Sequence, residues 1–198
     1  MSEIDQSTAD IRRQTRRFRL KKTVAMVGMM GSGKTAVGRA VAIKLGVPFL
    51  DSDQEIEAAA NLSVPEIFQR DGEVFFRKRE TEVIRRLLET QSGILSTGGG
   101  AFLSEVNRDN IAKKGVAVWL DAQLDLLWNR VRHKDTRPLL RTADPRATLA
   151  EIFATRTPIY KLAELRVACA EDLSIDAMAE RVITTLLTRP DVLEKLDD

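Results

Sequence analysis

Apolar residues along this chain fall into two patterns: short continuous runs, and longer stretches in which they recur every three or four positions. Runs at 23–27, 48–50, 94–96, 116–120 and 166–169 predict strands, because a strand covered on both faces has no polar side to show. The stretches at 34–45, 53–60, 73–90, 104–113, 124–132, 149–162 and 175–188 carry helical period. Strand and helix in alternation predict an α/β fold, with a five-stranded parallel sheet between two helical layers. Ser52 with Glu55, Ser63 with Glu66 and Thr148 with Glu151 have the spacing of capping boxes, and Pro65 suits an early helical turn. Residues 133–145 have no period, hold Arg137, Arg141 and two prolines, and read as a mobile loop.

A length of 198 residues fits one domain with a full core. The net charge is only +2, but the segment before the first predicted strand gathers Arg12, Arg13, Arg16, Arg17, Arg19, Lys21 and Lys22. Such an arm is able to grip nucleic acid. Only Phe18 interleaves with the arginines, however, so a solvated leader is the plainer expectation. Glu3, Asp5 and Asp10 and the lack of an apolar segment set the arm apart from secretory and transit peptides. Residues 1–21 are therefore taken as a flexible arm, 22–188 as the folded domain and 189–198 as a tail. Cys169 is the sole cysteine, which excludes an intrachain disulfide and a Cys/His zinc cluster. No apolar run approaches the roughly 20 residues that span a bilayer, so a cytoplasmic protein with no membrane partner is expected.

The run Gly28-Met29-Met30-Gly31-Ser32-Gly33-Lys34-Thr35 matches the phosphate-binding loop pattern in full, directly after a predicted strand and directly before a predicted helix. Glycines let the backbone N–H groups wrap phosphate oxygens at close range. Lys34 would neutralise the outer phosphates, Thr35 would offer a hydroxyl to Mg²⁺, and the helix N-terminus would add its partial positive charge. These residues predict nucleotide binding. The Asn-Lys-x-Asp run that reads guanine in many GTP switches is absent.

Five further segments suggest an acceptor site. Asp51 and Asp53 follow the second predicted strand, where a carboxylate pair would lie beside the phosphate loop. One could help hold hydrated Mg²⁺ and the other deprotonate an attacking hydroxyl, although plain helix capping accounts for them equally well. Arg77 lies at the apolar edge of a helix, with Glu73 four residues back and Glu80 three residues on as candidate partners; it is either half of an anion clamp or a surface ion pair. Gly98, Gly99 and Gly100 mark a ligand touching backbone or a sharp turn. Arg137, with Pro138, Leu139 and Leu140, could swing over a transferring phosphoryl group, and Arg156, with Pro158 and Tyr160, offers a second anion clamp. His133, the only histidine, reads as an exposed bystander.

In this order, the segments closely resemble the shikimate kinase family, over about residues 23–187. The resemblance implies a three-layer P-loop fold of the nucleoside-monophosphate-kinase type with a lid at about 130–145. It also implies transfer of the terminal phosphoryl of ATP to the 3-hydroxyl of shikimate. Asp53 would be the catalytic base and bind the acceptor hydroxyls, Arg77 and Arg156 would hold the shikimate carboxylate, and the backbone at Gly99 and Gly100 would touch the substrate. Thr35 and Asp51 would serve Mg²⁺. Gly31, Ser32, Gly33, Lys34, Thr35 and Ala36 would wrap the phosphates, with Lys34 and Arg137 acting in catalysis. Arg137 would reach the nucleotide from the lid, and Arg130 at the lid's base would stack near adenine. Ala36 departs from the hydroxyl residue more common in the family, and the loop 170–174 gives no nameable adenine contact. A monomer with shikimate as its small-molecule partner, ATP and Mg²⁺ as cofactors, and no nucleic acid is the expected working unit. A gluconate kinase is the rival within the class. A nucleotide-switched module that grips nucleic acid through the arm is the rival outside it.

Overall fold

The computed structural model describes residues 17–90, 92–133 and 138–196. Strands β2 (Thr23–Val27), β3 (Phe49–Asp51), β4 (Ile94–Ser96), β5 (Gly115–Asp121) and β6 (Leu165–Ala168) form one parallel sheet in the order β3-β4-β2-β5-β6. Every residue of β2, β4 and β5 is buried. Along β2 the side chains alternate between two cores: Val24 and Met26 join one, Ala25 and Val27 the other.

The first core is closed by α1 (Lys34–Leu45) and α7 (Ile175–Leu186), through Val37, Val41, Met178, Val182 and Leu186. Helices α2 (Ser52–Ala60), α3 (Val64–Thr90), α4 (Glu105–Lys114), α5 (Leu124–Val131) and α6 (Pro145–Tyr160) contribute Ile56, Ile84, Ile111, Leu127 and Leu149 to the second. This is the three-layer α/β arrangement that the sequence predicts.

Element ends depart from the sequence expectation where capping decides. Asp51, not Ser52, caps α2, accepting from the N–H groups of Asp53 (3.1 Å) and Gln54 (3.3 Å) through Oδ1. Glu55 reaches Arg86 at 2.8 Å rather than closing a box with Ser52. Ser63 and Glu66 do meet, the Ser63 N–H and hydroxyl both donating to the Glu66 carboxylate, which supplies the carboxylate half of the box. Helix α3 starts there, earlier than the expected residue 73, and runs across a break at Gly72, whose φ of 81° and ψ of 170° are non-helical. Thr148 is no cap, because Asp144 accepts from the Ala147 N–H at 3.0 Å and starts α6 one turn sooner.

The assigned arm and tail boundaries also shift. Phe18–Leu20 forms β1 and pairs antiparallel with β7 (Leu193–Lys195), and ion pairs of Lys22 with Asp191 (2.7 Å) and Lys21 with Glu194 (3.1 Å) flank the ribbon. Val192 and Leu193 are buried against the first core, which joins the β1–β7 ribbon to the domain.

Candidate active site

The phosphate loop leaves the carboxyl end of the central strand β2 and enters α1 through Gly33, whose φ of 97° is a left-handed conformation suited to glycine. Among the described residues no side chain caps that helix at Gly33, and the N-terminus of a helix suits an anion. Lys34 lies back over the loop, its ammonium donating to the carbonyls of Gly28 and Met29, each at 2.9 Å. A cavity of about 470 Å³ opens above, lined by residues 30–37, Asp51, Asp53, Ser96, Arg130 and Cys169 among others.

Asp51 and Asp53 stand at the end of β3 and the start of α2, on the rim of the same cavity. Asp51 is the helix cap, so the plain structural role is real for that residue. Asp53 is different: its Oδ1 is sealed from solvent and has no hydrogen-bond partner among the described residues. Burial raises its carboxyl above the ordinary aspartate value, as do the charges of Asp51 and Glu57, while Lys34 and Arg77 pull the other way. A carboxylate with an unfilled, poorly solvated oxygen is a ready acceptor for a substrate hydroxyl.

The glycine triplet after β4 gathers the remaining groups. A methyl on Gly98 would stand 2.9 Å from Asp53 Oδ1 and 2.9 Å from Glu80 Oε1, and one on Gly100 would collide with the Arg77 guanidinium. Arg156 Nη1 donates to the Gly99 carbonyl at 3.4 Å, and the Tyr160 hydroxyl donates to the same oxygen. Three consecutive residues thus bring together side chains from α2, α3 and α6. Arg77 is held by Glu80 at 2.9 Å and by Glu73 at 3.2 Å. Burial lowers its pKa, but these two carboxylates outweigh it and leave the guanidinium above its ordinary value. Glu80 is fully buried; burial pushes its pKa up, against the pull of Arg77.

Arg130 is turned onto the loop, donating to the carbonyls of Gly31 (3.2 Å) and Ser32 (3.4 Å) on the cavity wall. Ala36 is exposed on that wall. Arg137, the residue given to the lid, lies outside the described residues.

For Mg²⁺, Thr35 offers an exposed hydroxyl, 3.1 Å from that of Ser96, and Asp51 spends Oδ1 alone on its two capping bonds. Among the described residues no cluster of three or more His, Cys, Asp or Glu forms a metal cage. A hydroxyl and one carboxylate beside a phosphate cradle suit Mg²⁺, which keeps several waters and borrows oxygens from phosphates. The donor set fits the ion.

Sequence reading missed the Ser96–Thr35 contact, the Ser52 hydroxyl accepting from the Gly98 N–H at 3.3 Å, and the phenol on Gly99. Each joins residues at least 46 positions apart, beyond any local spacing rule.

Comparison with known proteins agrees with this geometry. The family model for shikimate kinase matches residues 30–187. The shikimate kinase of Ruegeria pomeroyi is 66% identical over 175 residues, spanning 88% of this chain and 90% of the relative. That of Cereibacter sphaeroides is 60% identical over 176 residues, spanning 89% and 88%. The solved shikimate kinase from Acinetobacter baumannii in complex with shikimate superposes with a TM-score of 0.79 at 35% identity, covering 84% of this chain and 93% of that one. On the family model and these relatives, the chain belongs to the shikimate kinase family, phosphotransferases that act on an alcohol group.

Proposed function

We propose that this chain moves the terminal phosphoryl of ATP to the 3-hydroxyl of shikimate, giving shikimate 3-phosphate on the route to chorismate and the aromatic amino acids. The observation that carries this reading is the meeting of Asp53, Arg77 and Arg156 on three consecutive glycines beside the phosphate loop. Two guanidinium groups suit a carboxylate, and their planar donors fix its orientation as lysine ammoniums would not. With the carboxylate clamped and the backbone at Gly99 and Gly100 in contact with the ring, one hydroxyl is directed at Asp53.

Asp53 accepts a hydrogen bond from that hydroxyl and takes its proton as the new oxygen–phosphorus bond forms. Its raised pKa makes it a better base than an ordinary aspartate. Lys34 moves from the loop carbonyls to the outer phosphates, and the N–H groups of residues 31–36 hold the chain of phosphates in line. Thr35 and Asp51 would hold Mg²⁺, which when bound neutralises phosphate charge. Arg130 steadies the loop, and Arg137 is assigned to the nucleotide from the lid. A cytoplasmic monomer without nucleic-acid or membrane partners is the working unit of this reading. No helix among the described residues is long and apolar enough to cross a membrane.

A coupled ATP-consumption assay with shikimate and with gluconate tests it. Turnover should require shikimate; Arg77→Ala and Arg156→Ala should raise KM for shikimate, and Lys34→Ala should lower kcat. Equal turnover of gluconate, or clamp variants with parental KM, would sink the assignment.

A further inference from the structure

Tyr160 is the only tyrosine in the sequence and one of the most deeply buried side chains, at 1% exposure. Its ring lies alongside Trp119 of β5, with centroids 6.4 Å apart and planes inclined by 22°. A buried phenol needs a hydrogen-bond partner, and this one donates to the carbonyl of Gly99, which Arg156 also contacts. Burial raises the phenol's pKa, so it remains a protonated donor.

The consequence lies on the other side of the same peptide. In a trans peptide the C=O and the following N–H point in opposite directions. Anchoring the Gly99 oxygen toward α6 therefore turns the Gly100 N–H away from α6. Gly100 is buried, yet its N–H donates to no protein acceptor among the described residues. Buried backbone donors are nearly always paired, so an unpaired one beside Arg77 marks a place for a ligand oxygen.

We infer that Tyr160 is a positioning residue: by holding the Gly99 carbonyl it fixes the Gly99–Gly100 peptide so that the Gly100 N–H is presented to the bound acceptor. This rests on the shikimate reading of the site. Arg156 then has two tasks, gripping the acceptor and sharing the Gly99 oxygen, and the phenol keeps the peptide in place when the guanidinium turns to substrate.

Tyr160→Phe keeps the ring and its packing on Trp119 and removes only the hydroxyl. KM for shikimate should rise about tenfold, the cost of one buried hydrogen bond, while KM for ATP stays within about twofold. In protein labelled with ¹⁵N-glycine, the Gly100 amide resonance should move on addition of shikimate to the parent and move much less in the variant. Because there is one tyrosine, 3-fluorotyrosine reports on this site alone; its ¹⁹F resonance in otherwise unaltered protein should shift with shikimate, which covers the case of a variant that folds poorly. An unchanged KM for shikimate, equal losses for both substrates, an undiminished Gly100 response in the variant, or a silent ¹⁹F signal would each overturn the inference. Failure of the parent protein to turn over shikimate would instead remove the reading beneath it.

Discussion

The guanidinium of Arg77 meets the carboxylate of Glu80 at 2.9 Å, and the two are unequally sheltered: the Arg77 side chain is 32% exposed and that of Glu80 1%. Glu80 is thus the fixed member and Arg77 the one it aims. Glu80→Ala should leave Arg77 to the exposed Glu73, pulling it off Gly100, raising KM for shikimate at least about tenfold with little change for ATP. Glu80→Gln keeps an acceptor oxygen and should lie between. A parental KM in both variants would free Arg77 from dependence on Glu80.

Asp53 is expected to trade stability for activity. Burial raises its pKa in the folded protein, so in the window above the ordinary value of 3.8 the folded state holds a proton that the unfolded chain has released. Its contribution is fully present below the unfolded value and is lost as pH rises through the folded one. Asp53→Asn removes that loss. The variant should be more stable than the parent near neutral pH, with the gap closing as pH falls toward the ordinary value, while kcat drops by about 10²- to 10⁴-fold. Thermal unfolding at several pH values and steady-state kinetics measure both; a variant less stable at neutral pH would show that the carboxylate is well accommodated.

The central strands were legible because burial on both faces leaves an uninterrupted apolar run: 23–27 and 94–96 are strands to the residue. The ribbon of β1 and β7 was not, since its members include Arg19, Glu194 and Lys195 and its pairing spans nearly the whole chain. The first third of α3 escaped because Gly72 interrupts its period. In the site, the partners of Arg77 could be read from helical spacing, three and four residues away. The buried state of Glu80, which decides between surface pair and clamp support, needed the sheet. Asp51 and Asp53 looked alike in sequence, and the fold separates them: one caps, the other keeps an unpaired oxygen.

Cys169 lines the nucleotide cavity, with its sulfur 3.8 Å from the Ser32 carbonyl. Burial pushes its thiol from 9.0 up to about 11. At a pH near 8 it should therefore carry about 100-fold less thiolate than an ordinary cysteine and alkylate correspondingly slowly. The rate should keep rising through pH 10, and ATP should slow it further by covering the cavity wall. As the only cysteine, it can be followed by intact mass. Alkylation at the rate of free cysteine, indifferent to ATP, would place the thiol in open solvent.

Gly98 offers a test of how tightly the carboxylates of Asp53 and Glu80 are set. Its backbone is not left-handed, so alanine brings no conformational strain, and the added methyl matters only through what it meets. That is Asp53 Oδ1 and Glu80 Oε1, each 2.9 Å away, closer than a methyl and an oxygen tolerate. Both are side-chain ends, so the fold survives by moving them. Glu80 is pinned by Arg77, which leaves Asp53 to give way toward the phosphate loop. A shift of about 1 Å in a reacting group can cost about 100-fold in rate, so Gly98→Ala should lower kcat by that order. KM for ATP should hold, because the three atoms nearest the methyl belong to Asp53 and Glu80 and none to the phosphate loop. Kinetics together with a melting curve separate the outcomes: lost turnover in a protein that melts near the parental temperature supports Asp53 as the group that must be placed, whereas parental kcat would mean that its position is not critical to the transfer.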